Sequence, residues 1–302
     1  MKSTRRFLHF ILPLPLVLAL CPVFCRAAVI VTDDIGRAVV LDAPACRIVP
    51  LYGAFSELIL SLGAGHCLAA RTAADAKLPE LVGLPVIGTH MRPNPELIAV
   101  LKPDVILHLA GRQEAYIHTD ALRSLGLTVL AFTLDSFEDM FRVTKTLGLL
   151  LDRKEQAEAR VREWKDRLAS LKQSIPAGAP VRVFYEARYP NLLAAGGKGI
   201  TRDIIAAAGG ENVTREAKKL VRFSEEALLM ADPDVYIVQQ GPMNPAPPPP
   251  SARPHYRGLA AVRAEHVIYV DEHRYARPGP RSIDAAEELA AKIRAVRTGE
   301  KP

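Results

Sequence analysis

The sequence predicts an α/β fold in which two Rossmann-like lobes, each with a parallel central sheet, are joined by a long rigid α-helix. In both halves, short apolar runs typical of buried strands alternate with amphipathic helical segments, the pattern of a parallel sheet covered on both faces. A highly charged helical segment at 136–175 separates the halves, and one helix-to-strand pattern occurs on each side of it. We therefore expect a signal peptide at 1–27, an N-terminal lobe at 28–135, the linking helix at 136–175 and a C-terminal lobe at 176–302. A surface helix within one large domain is the alternative interpretation of the linking segment.

The first residues have the parts of a secretory signal peptide. A cationic start at residues 2–6 precedes Phe7–Leu20, an apolar run of 14 residues that is too short to span a bilayer comfortably. Cys25-Arg26-Ala27 then offers small residues for cleavage. We therefore expect the mature protein in the periplasm. Leu18-Ala19-Leu20-Cys21 also resembles a lipobox, so a lipid anchor at Cys21 is the alternative fate of this segment.

The basic charge of the chain comes partly from this leader. The formal net charge is +6, but four basic residues and no acidic ones lie in 1–27, which leaves +2 for the mature chain. No basic run with interleaved aromatic residues follows, so we expect no nucleic-acid partner.

Two cysteines remain in the mature chain, Cys46 and Cys67, in a compartment that permits disulfides. Cys46 precedes a predicted strand at 47–51, and Cys67 opens one at 67–70. If these are neighbouring parallel strands, both thiols lie at the same edge of the sheet, where their separation could suit a bond. We predict a Cys46–Cys67 disulfide that contributes on the order of 3 kcal/mol. Two buried free thiols are the alternative.

Periodicity, capping residues and Gly or Pro stops place the other elements. Pro242–Pro254 is too rich in proline for regular structure. In the N-terminal lobe we predict a hairpin at 29–41, strands at 86–88, 104–109 and 127–132, and helices at 56–62, 95–101 and 113–125. In the C-terminal lobe we predict strands at 181–185, 235–239 and 267–270, and helices at 201–208, 224–230 and 282–296.

The linking segment has a helical apolar stripe on an otherwise charged sequence. Ser136 is a plausible N-cap with two acidic residues in the following turn, and Gly148 marks a break, so a short helix is expected before a long one. The apolar residues of the stripe follow one another at spacings of four, three, four and three residues. It consists of Ala157, Val161, Trp164, Leu168 and Leu171.

A matched pattern occurs once in each half. Each copy has a capping residue, a Glu two positions later and a Pro-Asp-Val that opens a buried strand. The spacing from Glu96 to Asp104 equals that from Glu226 to Asp234. A Glu in a first helical turn is ordinary for either copy alone. Two copies in register suggest a matched pair of surface carboxylates on a pseudo-two-fold molecule.

Several short motifs carry a family resemblance through their order and spacing. They are Arg47-Ile48-Val49-Pro50-Leu51, Ser56-Glu57-Leu58, Leu62-Gly63-Ala64-Gly65, Lys102-Pro103-Asp104-Val105-Ile106, Leu125-Gly126-Leu127, Gly209-Gly210-Glu211-Asn212-Val213, Ala231-Asp232-Pro233-Asp234-Val235 and Arg277-Pro278-Gly279-Pro280-Arg281. Over 46–297 the chain resembles the periplasmic binding proteins of ABC importers for iron–siderophore complexes, haem and cobalamin.

The resemblance implies a class III periplasmic binding protein, with a ligand in the cleft between the lobes and little hinge closure. It also implies that Glu96 and Glu226 dock on arginines of the permease dimer, contacts that set register and on-rate more than raw affinity. We expect a monomer without catalysis or a cofactor of its own. It would deliver a ferric chelate, corrinoid or haem to the inner-membrane permease.

Ligands of open α/β sheets meet the loops at the carboxyl ends of the strands. In this chain those loops are rich in Tyr, Arg and His, although only 6% of all residues are aromatic. Arg suits anionic donor groups, Tyr provides a flat wall for a macrocycle, and His could ligate or line the site. The predicted ligand residues are Tyr52, His90, Arg188, Tyr189, Tyr275 and Arg277. By the family pattern, His90 and Tyr275 match positions where cobalamin-binding members carry aromatic residues.

Two alternatives belong to other functional classes. A receptor for free Zn²⁺ or Mn²⁺ would use histidines as ligands. The histidines outside the signal peptide and the predicted ligand loops, at positions 66, 108, 118, 255 and 266, lack the spacing of metal ligands. A two-lobed chelatase-like enzyme would need a buried titratable pair in the cleft, and the sequence identifies none.

Overall fold

The structure, a computed structural model, describes residues 28–111 and 120–302. The predicted signal peptide, Cys21 and the first part of the predicted helix 113–125 lie outside these ranges, and residues 120–124 are helical. Within the described ranges, no helix has both the length and the apolar character that a membrane crossing requires.

The N-terminal lobe is built on a three-stranded parallel sheet. Its elements in chain order are β1 (Val29–Thr32), β2 (Ala38–Leu41), β3 (Ile48–Pro50), α1 (Gly53–Ser61), β4 (Gly88–Thr89), β5 (Arg92–Pro93), α2 (Pro95–Val100), β6 (Val105–Leu109) and β7 (Val129–Phe132). The sheet order is β3-β6-β7. The predicted hairpin forms from β1 and β2, which pair antiparallel.

Two helices form the linker, as the apolar stripe and the glycine break predict. They are α3 (Phe137–Leu150) and α4 (Lys154–Ser174). The Ser136 hydroxyl caps α3 by accepting the Asp139 N–H at 3.1 Å. A side chain at Gly148 would lie 2.5 Å from the Ala157 side chain, so glycine lets the two helices approach closely. Trp164 is 2% exposed and stacks on Phe141 with ring centroids 6.5 Å apart.

The C-terminal lobe has a larger, mixed sheet. Its elements are β8 (Val181–Arg188), β9 (Leu193–Ala195), α5 (Ile200–Ala207), β10 (Gly210–Asn212), β11 (Leu220–Arg222), α6 (Glu225–Ala231), β12 (Val235–Gln240), α7 (Ala260–Arg263), β13 (Val267–Asp271), α8 (Glu272–Tyr275) and α9 (Arg281–Arg297). Strands β10, β8, β12 and β13 run parallel. Strands β9 and β11 are antiparallel to their neighbours, so this sheet is not wholly parallel as predicted. A tight turn after β8, with Asn191 at φ 58°, reverses the chain into β9.

One continuous apolar core joins the lobes, and each lobe adds an outer core of its own. The shared core runs from Ile48 and Phe55 through the linker to Tyr185 and Leu289. The outer core of the N-terminal lobe lies on the other face of its sheet, around Val49, Ile98 and Ile106. Its C-terminal counterpart is centred on Phe184, Leu228 and Tyr236. One face of each sheet therefore contributes to the shared core.

Two predictions in the N-terminal lobe are wrong. Instead of a strand at 67–70, the chain makes a 3₁₀ turn at Gly65–Cys67, followed by a single parallel bridge between Leu68 and Ile48. The predicted disulfide is not formed in the structure, since Cys46 and Cys67 are both free thiols. Cys46 is exposed, with its thiol 3.7 Å from the Pro44 carbonyl oxygen. Cys67 is buried in the turn, and burial raises its pKa.

Candidate functional site

A cavity of about 230 Å³ lies between the two lobes. Seven of its eighteen described lining residues follow the carboxyl ends of β3, β7, β12 and β13, where the sequence predicts ligand contacts, and two more lie at the ends of β6 and β12. The N-terminal lobe contributes Tyr52, His90, Leu109, Leu134 and Asp135. The C-terminal lobe contributes Tyr185, Ala195, Lys198, Gly199, Ile200, Thr201, Lys219, Leu220, Gln239, Met243, Glu272, Ala276 and Pro278.

Aromatic rings cover part of the wall on both sides of the cavity. The predicted ligand residues Tyr52 and His90 both line it and meet edge to face, with ring centroids 6.1 Å apart. Across the cavity, the buried Tyr185 donates its hydroxyl to Gln239 Oε1 at 3.0 Å. Burial raises the pKa of Tyr185, so this hydroxyl stays protonated and remains a donor. Rings with polar edges suit a large, flat, partly polar ligand.

Charged residues at the cavity were not predicted from the sequence. Lys219 of the C-terminal lobe makes an ion pair with Asp135 of the N-terminal lobe, so this pair bridges the cleft. Lys198 is exposed at the same cavity. Glu272 accepts the Met243 N–H at 2.8 Å. These residues lie in loops or at element ends without a motif, and no sequence signal points to them.

Arg277, a predicted ligand residue, lies instead in a buried ionic network between the lobes. Its Nη1 donates to Glu57 Oε1 at 3.0 Å and is 3.4 Å from Asp75 Oδ1. Glu57, on α1, also accepts from Arg281 Nε at 3.0 Å and Nη2 at 2.6 Å. Arg277 is 7% exposed and Glu57 is 6% exposed. A Cβ at Gly53 would come within 2.0 Å of Asp75 Oδ1, so a glycine must begin α1 for these groups to meet.

The other three predicted ligand residues also lie outside the cavity lining. Tyr275 is 1% exposed and packs in the shared core. Tyr189 packs on the outer core of the C-terminal lobe, with its ring 3.9 Å from the Arg253 guanidinium. Arg188 ends β8 opposite Leu193 and is half-buried. Arg188 and Tyr189 lie where β8 turns towards β9, and Tyr275 lies at the end of α8, so the hairpin and the helix direct these side chains away from the cavity.

A second buried ionic network anchors the proline-rich loop to the C-terminal sheet. Arg253 pairs through both terminal nitrogens with the two carboxylate oxygens of Glu186 on β8, and the two side chains are 1% and 0% exposed. The Tyr236 hydroxyl donates to Glu186 Oε2 at 2.6 Å, and Asn244 Nδ2 lies 3.2 Å from Oε1. Burial lowers the pKa of Arg253, but the hydrogen bonds and charge of Glu186 outweigh this and raise it overall. Proline-rich Pro242–Pro254 is therefore held against the sheet at two points.

The two predicted docking carboxylates are exposed on matching short helices. Glu96 lies in the first turn of α2 and Glu226 in the first turn of α6. The Glu226 backbone N–H and the Ser224 side chain hold the pKa of the Glu226 carboxyl below its usual value. Both groups are therefore available to a partner of opposite charge.

The two helices are built from equivalent parts. Asn94 Oδ1 accepts the Leu97 N–H at 2.9 Å, and Ser224 Oγ accepts the Ala227 N–H at 3.0 Å. Each helix buries one residue fully in the outer core of its lobe; these residues are Ile98 in α2 and Leu228 in α6. Both helices therefore lie on outer faces, away from the shared core.

The described ranges contain no group of three or more His, Cys, Asp and Glu side chains placed to hold a metal ion.

Comparisons with known proteins agree on one family. The model of the periplasmic binding protein family matches residues 48–273. The substrate-binding lipoprotein YvrC of an ABC transporter of Bacillus subtilis is 24% identical over 88% of this chain and 85% of its own length. A cobalamin-binding protein of Halobacterium salinarum is 25% identical over 88% of this chain and 74% of its own length. The haem-binding protein RhuT of Roseiflexus superposes with a TM-score of 0.71 at 23% identity, covering 83% of this chain and 98% of that one, which confirms the predicted fold class. Because the family model matches most of the chain, the protein belongs to the periplasmic binding protein family, and the prediction of a binding protein rather than an enzyme is confirmed.

Proposed function

We propose that the protein captures a metal chelate in the cleft between its lobes and delivers it to the membrane permease of an ABC importer. The observation that carries this proposal is the interlobe cavity at the carboxyl ends of the strands, walled by Tyr52, His90 and Tyr185. A corrinoid, haem or ferric siderophore presents the broad, partly polar surface that such rings can cover. Relatives that bind cobalamin or haem support the same ligand class.

The size of the cavity adds a condition on binding. Its volume of about 230 Å³ is below the roughly 300–1,000 Å³ typical of pockets for drug-sized ligands. A macrocycle would therefore project from the cleft or separate the Lys219–Asp135 ion pair that lines the cavity. The charges released by that separation would then face the polar periphery of the ligand.

A calorimetric titration of the protein without residues 1–27 tests the proposal. The panel contains cobalamin, haem, several ferric siderophores, and free Zn²⁺ and Mn²⁺. We expect saturable one-to-one binding of one chelate or corrinoid, which would also identify the substrate. Binding of a free ion alone would favour the metal-receptor alternative, and no binding by any of these compounds would contradict the proposal.

We also propose that Glu96 and Glu226 dock on a permease dimer, one carboxylate on each half. Replacing both with alanine (Glu96→Ala with Glu226→Ala) is expected to leave ligand affinity unchanged and to abolish uptake, because the charge pairs that set the docking register are lost. The measurements are calorimetric affinity and uptake of the labelled ligand by cells.

A matched control removes two first-turn carboxylates of the linker helices, Glu138 and Glu155, and should leave uptake intact. Loss of ligand affinity in the Glu96–Glu226 variant, or normal uptake by it, would count against the docking role.

A further inference from the structure

Helices α2 and α6, which carry Glu96 and Glu226 and are called the docking helices below, each have an exposed apolar side chain at the same position. Val100 is 76% exposed and Met230 is 88% exposed, the highest values among the exposed large apolar residues of the described ranges. Each lies four residues after its glutamate, Glu96 or Glu226, and so on the same helix face one turn further on. Single exposed apolar residues are ordinary, but a pair at equivalent positions of two lobes is a repeated feature.

The same set of contacts fixes the end of each helix. Arg47 Nη2 donates to the Leu101 carbonyl oxygen at 2.7 Å in the first lobe. In the second lobe, Arg182 Nη2 donates to the Ala231 carbonyl oxygen. The backbone N–H groups of both arginines also donate, at 2.8 Å, to the aspartate that opens the next strand; these are Asp104 and Asp234.

The residue that follows the last turn of each helix has the same unusual conformation. Lys102 has φ 47° and Asp232 has φ 33°, in the left-handed region, where residues other than glycine are uncommon. The equivalent arginine contacts, aspartates and left-handed residues hold Val100 and Met230 in equivalent settings. A repeat at this level of detail fits a partner that offers two equivalent sites.

We propose that each lobe docks through a composite contact, a carboxylate with an apolar side chain one turn away. The pairs are Glu96 with Val100, and Glu226 with Met230. The occupant is the permease, and each of its two equivalent sites would place a cation beside an apolar pocket. The carboxylate sets register and on-rate, and burial of the apolar side chain slows dissociation. This inference rests on the proposed function.

Binding of the protein to its permease in lipid nanodiscs tests the inference, with the dissociation rate as the readout. The variant Val100→Ser with Met230→Ser should dissociate about tenfold faster than the unaltered protein, with an unchanged association rate. Leu149→Ser is the matched control, since it makes the same kind of change at an exposed helical residue of the linker (47% exposed). Its dissociation rate should not change.

The Glu96→Ala, Glu226→Ala variant distinguishes the composite contact from the carboxylate docking proposed above. If it loses binding while the Val100–Met230 variant dissociates normally, the composite contact is overturned and the carboxylate docking stands. If both variants bind and dissociate normally, both proposals are overturned. Faster dissociation of the Leu149 control to the same extent would also overturn the inference, because the effect would then not be specific to the docking helices.

Discussion

Replacing Arg253 with alanine is expected to lower the free energy of unfolding by about 3–5 kcal/mol, because it leaves the Glu186 carboxylate buried without its cation. Glu186 is 0% exposed, and its two remaining partners, Tyr236 and Asn244, are neutral donors. Chemical unfolding monitored by circular dichroism measures the loss. The same change removes one of the two anchors of Pro242–Pro254, so limited proteolysis should cut this loop faster.

An exposed pair of the same chemistry provides the control for Arg253. Arg160 and Glu163 on α4 make an ion pair at 2.7 Å, with side chains 38% and 47% exposed. Arg160→Ala should cost less than about 1 kcal/mol, as exposed pairs do. Replacing both buried partners, Arg253→Met with Glu186→Leu, should recover part of the loss because no uncompensated charge remains. An equal loss in the Arg160 and Arg253 variants would contradict the prediction.

Replacing Glu57 with leucine is expected to destabilise the protein by about 3 kcal/mol, because two arginines of the other lobe lose their shared carboxylate. Arg277 keeps the weaker Asp75 contact at 3.4 Å and lies 5.9 Å from the centroid of the Tyr52 ring, and its side chain is 8% exposed. The network bridges the lobes, so the variant should also loosen their junction. Chemical unfolding gives the energy, and hydrogen exchange of α1 and α9 gives the local effect.

Glu163→Leu is the matched control for Glu57, since it removes a helical carboxylate from an exposed ion pair and should change stability by less than about 1 kcal/mol. Unchanged stability and exchange in the Glu57 variant would show that the buried network contributes nothing to the junction of the lobes.

Features that depend on local chemistry were predicted well from the sequence. The stripe from Ala157 to Leu171 and the break near Gly148 predict α3 and α4, because helical period and close packing at glycine act within a few residues. The matched pattern around Glu96 and Glu226 predicts two equivalent helices, and the caps at Asn94 and Ser224 form as expected. The hairpin from β1 and β2 is a further local success.

Features that depend on long-range contacts were not predicted. Arg277 lies in a loop after a strand, which suggested a ligand contact, but its partner Glu57 is 220 residues away. The signal was present, since both residues belong to the motifs that carry the family resemblance. Strands β9 and β11 have three residues each, too short for an alternating pattern to be recognised. The cleft residues Asp135 and Lys219 come together only when the lobes do.

The position of Trp164 determines what the intrinsic fluorescence of this protein can report. It is the only tryptophan, and it is stacked on Phe141 between the two linker helices. It does not line the cleft cavity. Its emission therefore follows the separation of α3 from α4 and serves as an optical marker of linker integrity. A colourless ligand leaves that marker unchanged, whereas a coloured ligand such as haem can accept its excitation energy across the protein.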